Sequence, residues 1–278
     1  MCLIVFNWQP NADRMLTLAS NRDEFYARPS KSAHYWNDSP NIFGGRDLKM
    51  QGTWLAVSRS MRFAAVTNFR SPNKQSYPRS RGEIPHHFLS TNLSAIHFAQ
   101  QISLEDYAGF NALLFDGKSL VYCHNQKNSL GEYVLPIELA AGNYGLSNHL
   151  LDTPWPKVER TKNALSRIEY EAIKYDKTDI AQKLLFALKN DEKAADHLLP
   201  NTGIKLEFER ALSSAFISLP DYGTRTSTIV IIERTTGNSS RHSSIPVKQI
   251  YFHERQYHTQ HNKFEDNTYT INPLDNQA

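Results

Sequence analysis

Cys2 is the residue of this chain whose type and position are best suited to covalent chemistry. Methionine aminopeptidases remove Met1 when the second residue is small, and cysteine qualifies. Removal leaves a thiol and a free α-amine on one residue. A thiol with pKa about 8.5 beside an amine with pKa about 7.7–8.0 is a nucleophile that carries its own general base. The competing reading is a small apolar residue opening the run Cys2-Leu3-Ile4-Val5-Phe6. A second candidate is the polar cluster Asn21-Arg22-Asp23-Glu24, which directly follows an apolar stretch. It has the form of a helix start, with Asn21 as cap and Glu24 three residues on, but Pro29 limits any such helix to one turn. Beside Cys2, a carboxylate of this cluster would hold the amine and Arg22 would lower the thiol pKa.

Asn68 and Asn148 each end an apolar segment. Turn or capping duty explains either one; the alternative is an amide NH₂ aimed at a developing oxyanion. Arg225 precedes the strongest β run, Thr226-Ser227-Thr228-Ile229-Val230-Ile231-Ile232. An arginine at a strand mouth is either solvated or binds a carboxylate, phosphate or propionate.

The elements that must position these residues read as strands flanking a helical middle. Residues 2–8 and 14–21 form a hairpin that sets Trp8 beside Arg14 and Cys2 beside Ser20, so that residues 21–24 emerge next to the thiol. Further hairpins cover 53–58 with 62–69, and 111–115 with 119–124 around Asp116-Gly117. Helical spacing marks 86–101, 156–175 and 178–190. Strand character returns at 211–218, 225–233 and 249–253, with a turn at 235–238. This order suits an α+β sandwich better than a doubly wound parallel sheet. The expectation is one domain over residues 1–257, followed by a fraying polar tail, 258–278.

Composition narrows the function classes. The 31 basic and 28 acidic residues nearly balance, which gives nucleic acid no electrostatic footprint. Two cysteines, Cys2 and Cys123, make no disulfide framework and point to a reducing compartment. The N-terminus lacks a basic, secretory-type leader, and no stretch approaches the ~20 apolar residues of a membrane span. The cytoplasm is the expected home. Eleven histidines show no zinc spacing, so no metal site is expected, whereas haem ligation by His or Cys needs no fixed spacing. Neither a Walker A loop nor a dinucleotide fingerprint is present.

Several segments together resemble the Transport and Golgi organization 2 family, also called the NRDE family. They are Met1-Cys2-Leu3-Ile4, Ala19-Ser20-Asn21-Arg22-Asp23-Glu24-Phe25-Tyr26-Ala27-Arg28-Pro29, Gly52-Thr53-Trp54-Leu55-Ala56, Ala65-Val66-Thr67-Asn68, Arg79-Ser80-Arg81-Gly82-Glu83, Tyr144-Gly145-Leu146-Ser147-Asn148, Asp152-Thr153-Pro154-Trp155 and Gly223-Thr224-Arg225-Thr226. That family in turn looks like the N-terminal-nucleophile hydrolases of the bile-salt hydrolase and penicillin V acylase branch. The resemblance implies a four-layer αββα sandwich with Cys2 as nucleophile and Asp23 or Glu24 on its amine. It further implies Arg22 or Asn21 at the arginine position, Asn68 at the oxyanion, and Asn148 and Arg225 completing the site. Those hydrolases space the arginine and aspartate three apart, whereas Arg22 and Asp23 are adjacent. The family is associated with haem trafficking and with acyl-CoA or lipid metabolism. Two functions are therefore expected: non-enzymatic carriage of haem or an acyl-CoA-like amphiphile, with Arg22 and Arg225 on its acidic groups, and Cys2-dependent hydrolysis of an amide or thioester.

Overall fold

Strands that are apolar on both faces need a layer on each side, and that requirement organises the molecule. The computed structural model describes residues 2–71, 75–235, 247–258 and 263–273, at residue 173 for the backbone alone. Its strands are β1 (Cys2–Trp8), β2 (Arg14–Phe25), β3 (Ser30–Trp36), β4 (Ser39–Asp47), β5 (Leu55–Ser58), β6 (Phe63–Asn68), β7 (Phe110–Phe115), β8 (Leu120–His124), β9 (Ile137–Glu138), β10 (Gly142–Leu146), β11 (Tyr222–Arg234), β12 (Val247–His258) and β13 (Lys263–Ile271). Its helices are α1 (Glu83–Leu89), α2 (Ala95–Gln100), α3 (Pro156–Tyr170), α4 (Lys177–Leu188) and α5 (Leu206–Ala211). One sheet has the order β10-β1-β2-β11-β12-β13 and the other β3-β4-β5-β6-β7-β8-β9.

Side-chain alternation assigns the layers. Ile4, Phe6 and Trp8 of β1 and Val230 and Ile232 of β11 point between the sheets, where they meet Phe43, Leu55, Val57, Phe63 and Leu113. Leu3, Val5, Ile229 and Ile231 point the other way, onto Val158 and Leu165 of α3 and Ile180, Leu184 and Leu188 of α4. On the far side, Ala64, Val66, Ala112 and Cys123 pack under Ile84 and Phe88 of α1 and Ala95 and Ala99 of α2. The result is an α+β sandwich of four layers, αββα, as the sequence resemblance implies.

Several expectations about elements change. In the first hairpin Trp8 pairs with Leu16 and Cys2 with Arg22, two residues beyond the expected register. The Gln9 N–H donates to Met15 O and the ladder begins at Trp8↔Leu16, while Arg14 opens β2 by pairing with Glu233 of β11 instead. The expected helix 86–101 is two helices, broken at 90–94, with the Ser94 hydroxyl capping the second. Residues 211–218 are the end of α5 and a loop, not a strand. Strands β3, β4 and β10 were not expected. The segment read as a polar tail contains β13, which pairs along β12 from His258↔Lys263 to Ile250↔Ile271. Its exposed alternating face carries the polarity. The expected turn at 235–238 lies outside the described residues beyond Thr235.

The two sheets are also joined by a polar contact. Glu254 of β12 is 1% exposed, and its carboxylate accepts the Ala33 N–H of β3 at 2.7 Å. Burial raises its pKa to about 7, with the Ala33 N–H and Arg22 opposing the rise. A carboxyl whose folded-state pKa lies above its unfolded value stabilises the fold fully below the unfolded value, about 4.3. That contribution is lost as pH rises through about 7. Glu254→Gln keeps a carbonyl acceptor without the buried charge. It should therefore be more stable than wild type at pH 8, by up to about 3 kcal/mol, with the advantage gone near pH 4. Thermal or urea melts at both pH values check this; a wild type that gains stability from pH 5 to 8 relative to the variant contradicts it.

Candidate active site

Cys2 stands at the end of the first sheet because it is the first residue of β1. Its neighbour strand β2 runs three residues beyond Arg22, so the polar cluster is a strand end and not a helix cap. Alternation then divides the cluster. Asn21 turns to the helix layer, where its amide donates to Leu188 O (2.9 Å) and Ala215 O (2.8 Å) and accepts from the Ser227 hydroxyl (2.5 Å). Its hydrogen-bonding capacity is spent on the fold. Arg22 faces the space between the sheets, opposite Cys2, with its guanidinium 4.1 Å from the Trp54 ring centroid. Trp54 lies flat there because Gly45 has no side chain: a Cβ at Gly45 would come within 2.2 Å of the indole.

A cleft of about 110 Å³ opens at this point. Its lining brings together Cys2, Arg22, Asp23, Glu24 and Asn68. Arg28, Asp47, Thr53, Trp54, Val66, Ser80, Arg81 and Gly82 complete the walls. The wall at Thr53 and Gly82 is a backbone contact, Thr53 N–H to Gly82 O at 2.9 Å. It is close enough that a Cβ on Gly52 would lie 2.4 Å from the Gly82 carbonyl carbon.

The charges are paired unevenly. Asp23 is 1% exposed; Oδ1 accepts from the Thr224 hydroxyl at 2.7 Å. Burial raises its pKa, and Lys157 of α3, the Thr224 hydroxyl and Arg22 oppose that rise. Lys157 is itself buried, donates to Leu212 O at 3.0 Å, and is pulled down by burial to about 8. Glu24 Oε2 lies 4.0 Å from Arg22 Nη2 and 3.8 Å from Arg28 Nε, while Arg28 grips Asp47 at 3.1 and 2.5 Å. Burial lowers the Arg22 pKa and raises that of the Cys2 thiol; Asp23 and Glu24 push the thiol higher and Arg22 pulls it down.

Asn68 ends β6. Its side chain makes no hydrogen bond among the described residues, and it faces the cleft. Its carbonyl accepts from Asn148 Nδ2 at 3.0 Å. Asn148 is fully buried and takes the Ser147 hydroxyl on its Oδ1 at 3.3 Å; that hydroxyl also donates to Cys2 O at 3.0 Å. Asn148 therefore supports Asn68 from behind and does not line the cleft. Arg225 also stands apart: its guanidinium donates to the carbonyls of Phe25 and Arg28, tying down the bend between β2 and β3.

Arg81, Arg28, Trp54 and Asp47 were not singled out as site residues. The first three lie in segments that carry the family resemblance, and a tryptophan after Gly52-Thr53 was the available signal. Asp47 gave none. No group of three or more His, Cys, Asp or Glu side chains is gathered as for a metal ion among the described residues. No helix among them is long and apolar enough to cross a membrane.

A four-layer αββα sandwich with a cysteine-centred polar cleft at one end of its sheets is the class defined by this geometry. The chain belongs to the Transport and Golgi organisation 2 family, whose model matches residues 1–259. It is 35% identical over 253 residues to the Transport and Golgi organization protein 2 homolog of Homo sapiens, covering 84% of this chain and 89% of that protein. The homolog of Bos taurus is 34% identical over the same shares, and the protein of Drosophila melanogaster 29% over 84% and 88%. Two solved structures are similar at 8% identity. A Caenorhabditis elegans N-acylethanolamine-hydrolyzing acid amidase ortholog matches with TM-score 0.37 over 82% of this chain and 92% of that one. The C2A mutant of conjugated bile acid hydrolase from Clostridium perfringens matches with TM-score 0.41 over 100% and 99%. The layer order is set by the sheets and helices of this chain.

The two thiols should differ in reactivity. Cys123 is buried under α1 and α2, and burial pushes its pKa to about 12. Cys2 lines an open cleft beside Arg22. Iodoacetamide at pH 8 should label Cys2 at least several-fold faster, and Arg22→Gln should slow Cys2 alone. Peptide mass spectrometry reads both rates; equal labelling of the two cysteines rejects the assignment.

Proposed function

We propose that this chain is a cysteine hydrolase of amide or thioester bonds, acting through Cys2 once Met1 is removed. The observation that carries this reading is the convergence, in one cleft, of the Cys2 thiol, the Arg22 guanidinium and the uncommitted Asn68 amide. The thiol gives its proton to the α-amine of Cys2, and the sulfur bonds to the substrate carbonyl carbon. The carbonyl electrons move to oxygen, where Asn68 Nδ2 donates a hydrogen bond to the oxyanion. Collapse expels the amine or thiol, which leaves with the proton held on the α-ammonium. Water then attacks the Cys2 thioester and gives a proton to the α-amine; collapse breaks the carbon–sulfur bond, releases the acid and returns that proton to the Cys2 sulfur. Asp23 holds the ammonium form of that amine, and Lys157 behind it favours the carboxylate. Arg22 favours the thiolate, and Glu24 offsets part of that charge.

Intact mass first establishes the Met1-free protein, which is then assayed on a panel of amides and thioesters. Cys2→Ala should abolish turnover, and Asn68→Ala should lower kcat by about 10²–10³-fold. A Met1-free protein that turns over none of the panel rejects the reading.

A second reading, carriage of haem or an acyl-CoA-like amphiphile without chemistry, draws on a different place. The Cys2 cleft, at about 110 Å³, is well below the ~300–1,000 Å³ usual for drug-sized ligands. A separate pocket of about 270 Å³ is lined by Tyr26, Phe216, Tyr257 and Phe264, with His258 and Lys189 also on its walls. Its aromatic surface suits a flat apolar ligand, and His258 offers an axial nitrogen. Haem titration should then give a saturable Soret shift that His258→Ala weakens and Cys2→Ala leaves intact. The reverse ranking would assign the haem to the thiol instead, and no saturable shift would remove haem as the cargo.

A further inference from the structure

The cleft holds guanidinium donors that its own carboxylates do not take up. Arg28 is taken by Asp47. Asp23 has Lys157 behind it and the Thr224 hydroxyl on Oδ1. Glu24 reaches Arg22 only at 4.0 Å. Arg22, Arg28 and Arg81 thus line the cleft with Asp23, Glu24 and Asp47, but only Arg28 is held by a carboxylate at hydrogen-bond distance. Two of the guanidiniums keep donors in reserve. Arg22 is 5% exposed, yet its Nη1 has no hydrogen-bond partner among the described residues. Arg81 donates from Nη1 to Gly109 O at 3.0 Å, the one hydrogen bond of its guanidinium among them. A buried N–H without an acceptor is costly, and the cost is recovered when a ligand supplies the oxygen.

We infer that Arg22 and Arg81 form a carboxylate-binding subsite beside Cys2, selecting short amides or thioesters that bear a carboxylate two or three bonds from the reacting carbonyl. The inference rests on the reading of Cys2 as the residue that meets a carbonyl, and it names the substrate class of that site. A planar, two-oxygen anion matches guanidinium donors better than a neutral amide does. Cavity size sets the spacing. A volume of about 110 Å³ admits only about four groups the size of a water, each ~30 Å³ in the liquid. A carbonyl and a carboxylate separated by one or two carbons fill it, and any longer portion of the ligand leaves through the mouth. The Trp54 ring holds the Arg22 guanidinium from one side, so the arginine is oriented before the ligand arrives.

The test is binding, with turnover read separately. Purified full-length protein is titrated by calorimetry with succinamate and with succinamide, which differ by one charge. Succinamate should bind saturably and about tenfold or more tightly than succinamide. Arg81→Gln should erase the difference and Arg81→Lys should restore part of it, with melting curves showing that each variant is folded. Succinamate should also protect Arg22 and Arg81 of the wild type from phenylglyoxal, mapped by peptide mass spectrometry; this arm decides the matter if the variants do not fold. Equal affinities, no saturable binding, a preference that survives Arg81→Gln, or inorganic phosphate binding more tightly than succinamate each overturns the inference. The two readings fail separately. Charge-selective binding without turnover removes the hydrolase and keeps the subsite; equal turnover of the charged and neutral amides does the reverse.

Discussion

A strand that carries Asn21, Arg22 and Asp23 into the interior is the constraint on which the rest of this structure depends. Buried polar groups are tolerated only when they are partnered, so each of the three dictates what must stand beside it. Asn21 requires carbonyls, and the end of α4 and the loop after α5 supply Leu188 O and Ala215 O. Asp23 requires a hydroxyl and a cation, and β11 and α3 supply Thr224 and Lys157. Arg22 requires a surface that tolerates a desolvated guanidinium, and Trp54 supplies its face. Elements distant in sequence are thereby fixed relative to Cys2 by polar demand as well as by apolar packing.

Arg22 and Trp54 also join the sheets. Arg22 belongs to β2 of the first sheet, and Trp54 immediately precedes β5 of the second, where its carbonyl accepts the Val66 N–H. Cation–π contacts strengthen as water is withdrawn, from about 0.5–1 kcal/mol at exposed sites to about 2 or more. This one is nearly dry. The Glu254–Ala33 contact makes a second polar link between the same layers. The cleft thus has walls from both sheets, and these contacts, with that of Asn148 on the Asn68 carbonyl, hold their spacing.

How much of this was legible in the sequence follows from what leaves a local trace. The continuous apolar runs of β1, β7, β8 and β11 are local, and those strands were placed correctly. The two-residue error in the first hairpin came from the turn, where Arg14 gives no sign that it pairs with β11 instead of β1. Strands β3 and β4 mix Ser, Lys, Asn and Gly with their apolar residues, and their register is irregular, so alternation is blurred. β13 hides because it is an edge strand, polar and exposed along most of its length. Within the site, Cys2, Arg22 and Asn68 were legible because strand ends expose them. The division of Asn21 from Arg22 was legible only once the cluster was known to be a strand. Asp47, brought in by pairing partners some twenty residues away, left no sequence trace. Asn148 and Arg225 were expected in the site, but their side chains are spent on backbone carbonyls, a use that composition cannot distinguish from catalysis.

The Ser147 hydroxyl on the Cys2 carbonyl has a practical corollary. Chain ends ordinarily fray, but here the first strand is held at its opening residue from two sides, by β2 and by the segment that follows β10. A group attached ahead of Cys2 is therefore joined to a residue that lines the cleft. An affinity tag placed at that end would be fastened beside the site it was meant to help purify.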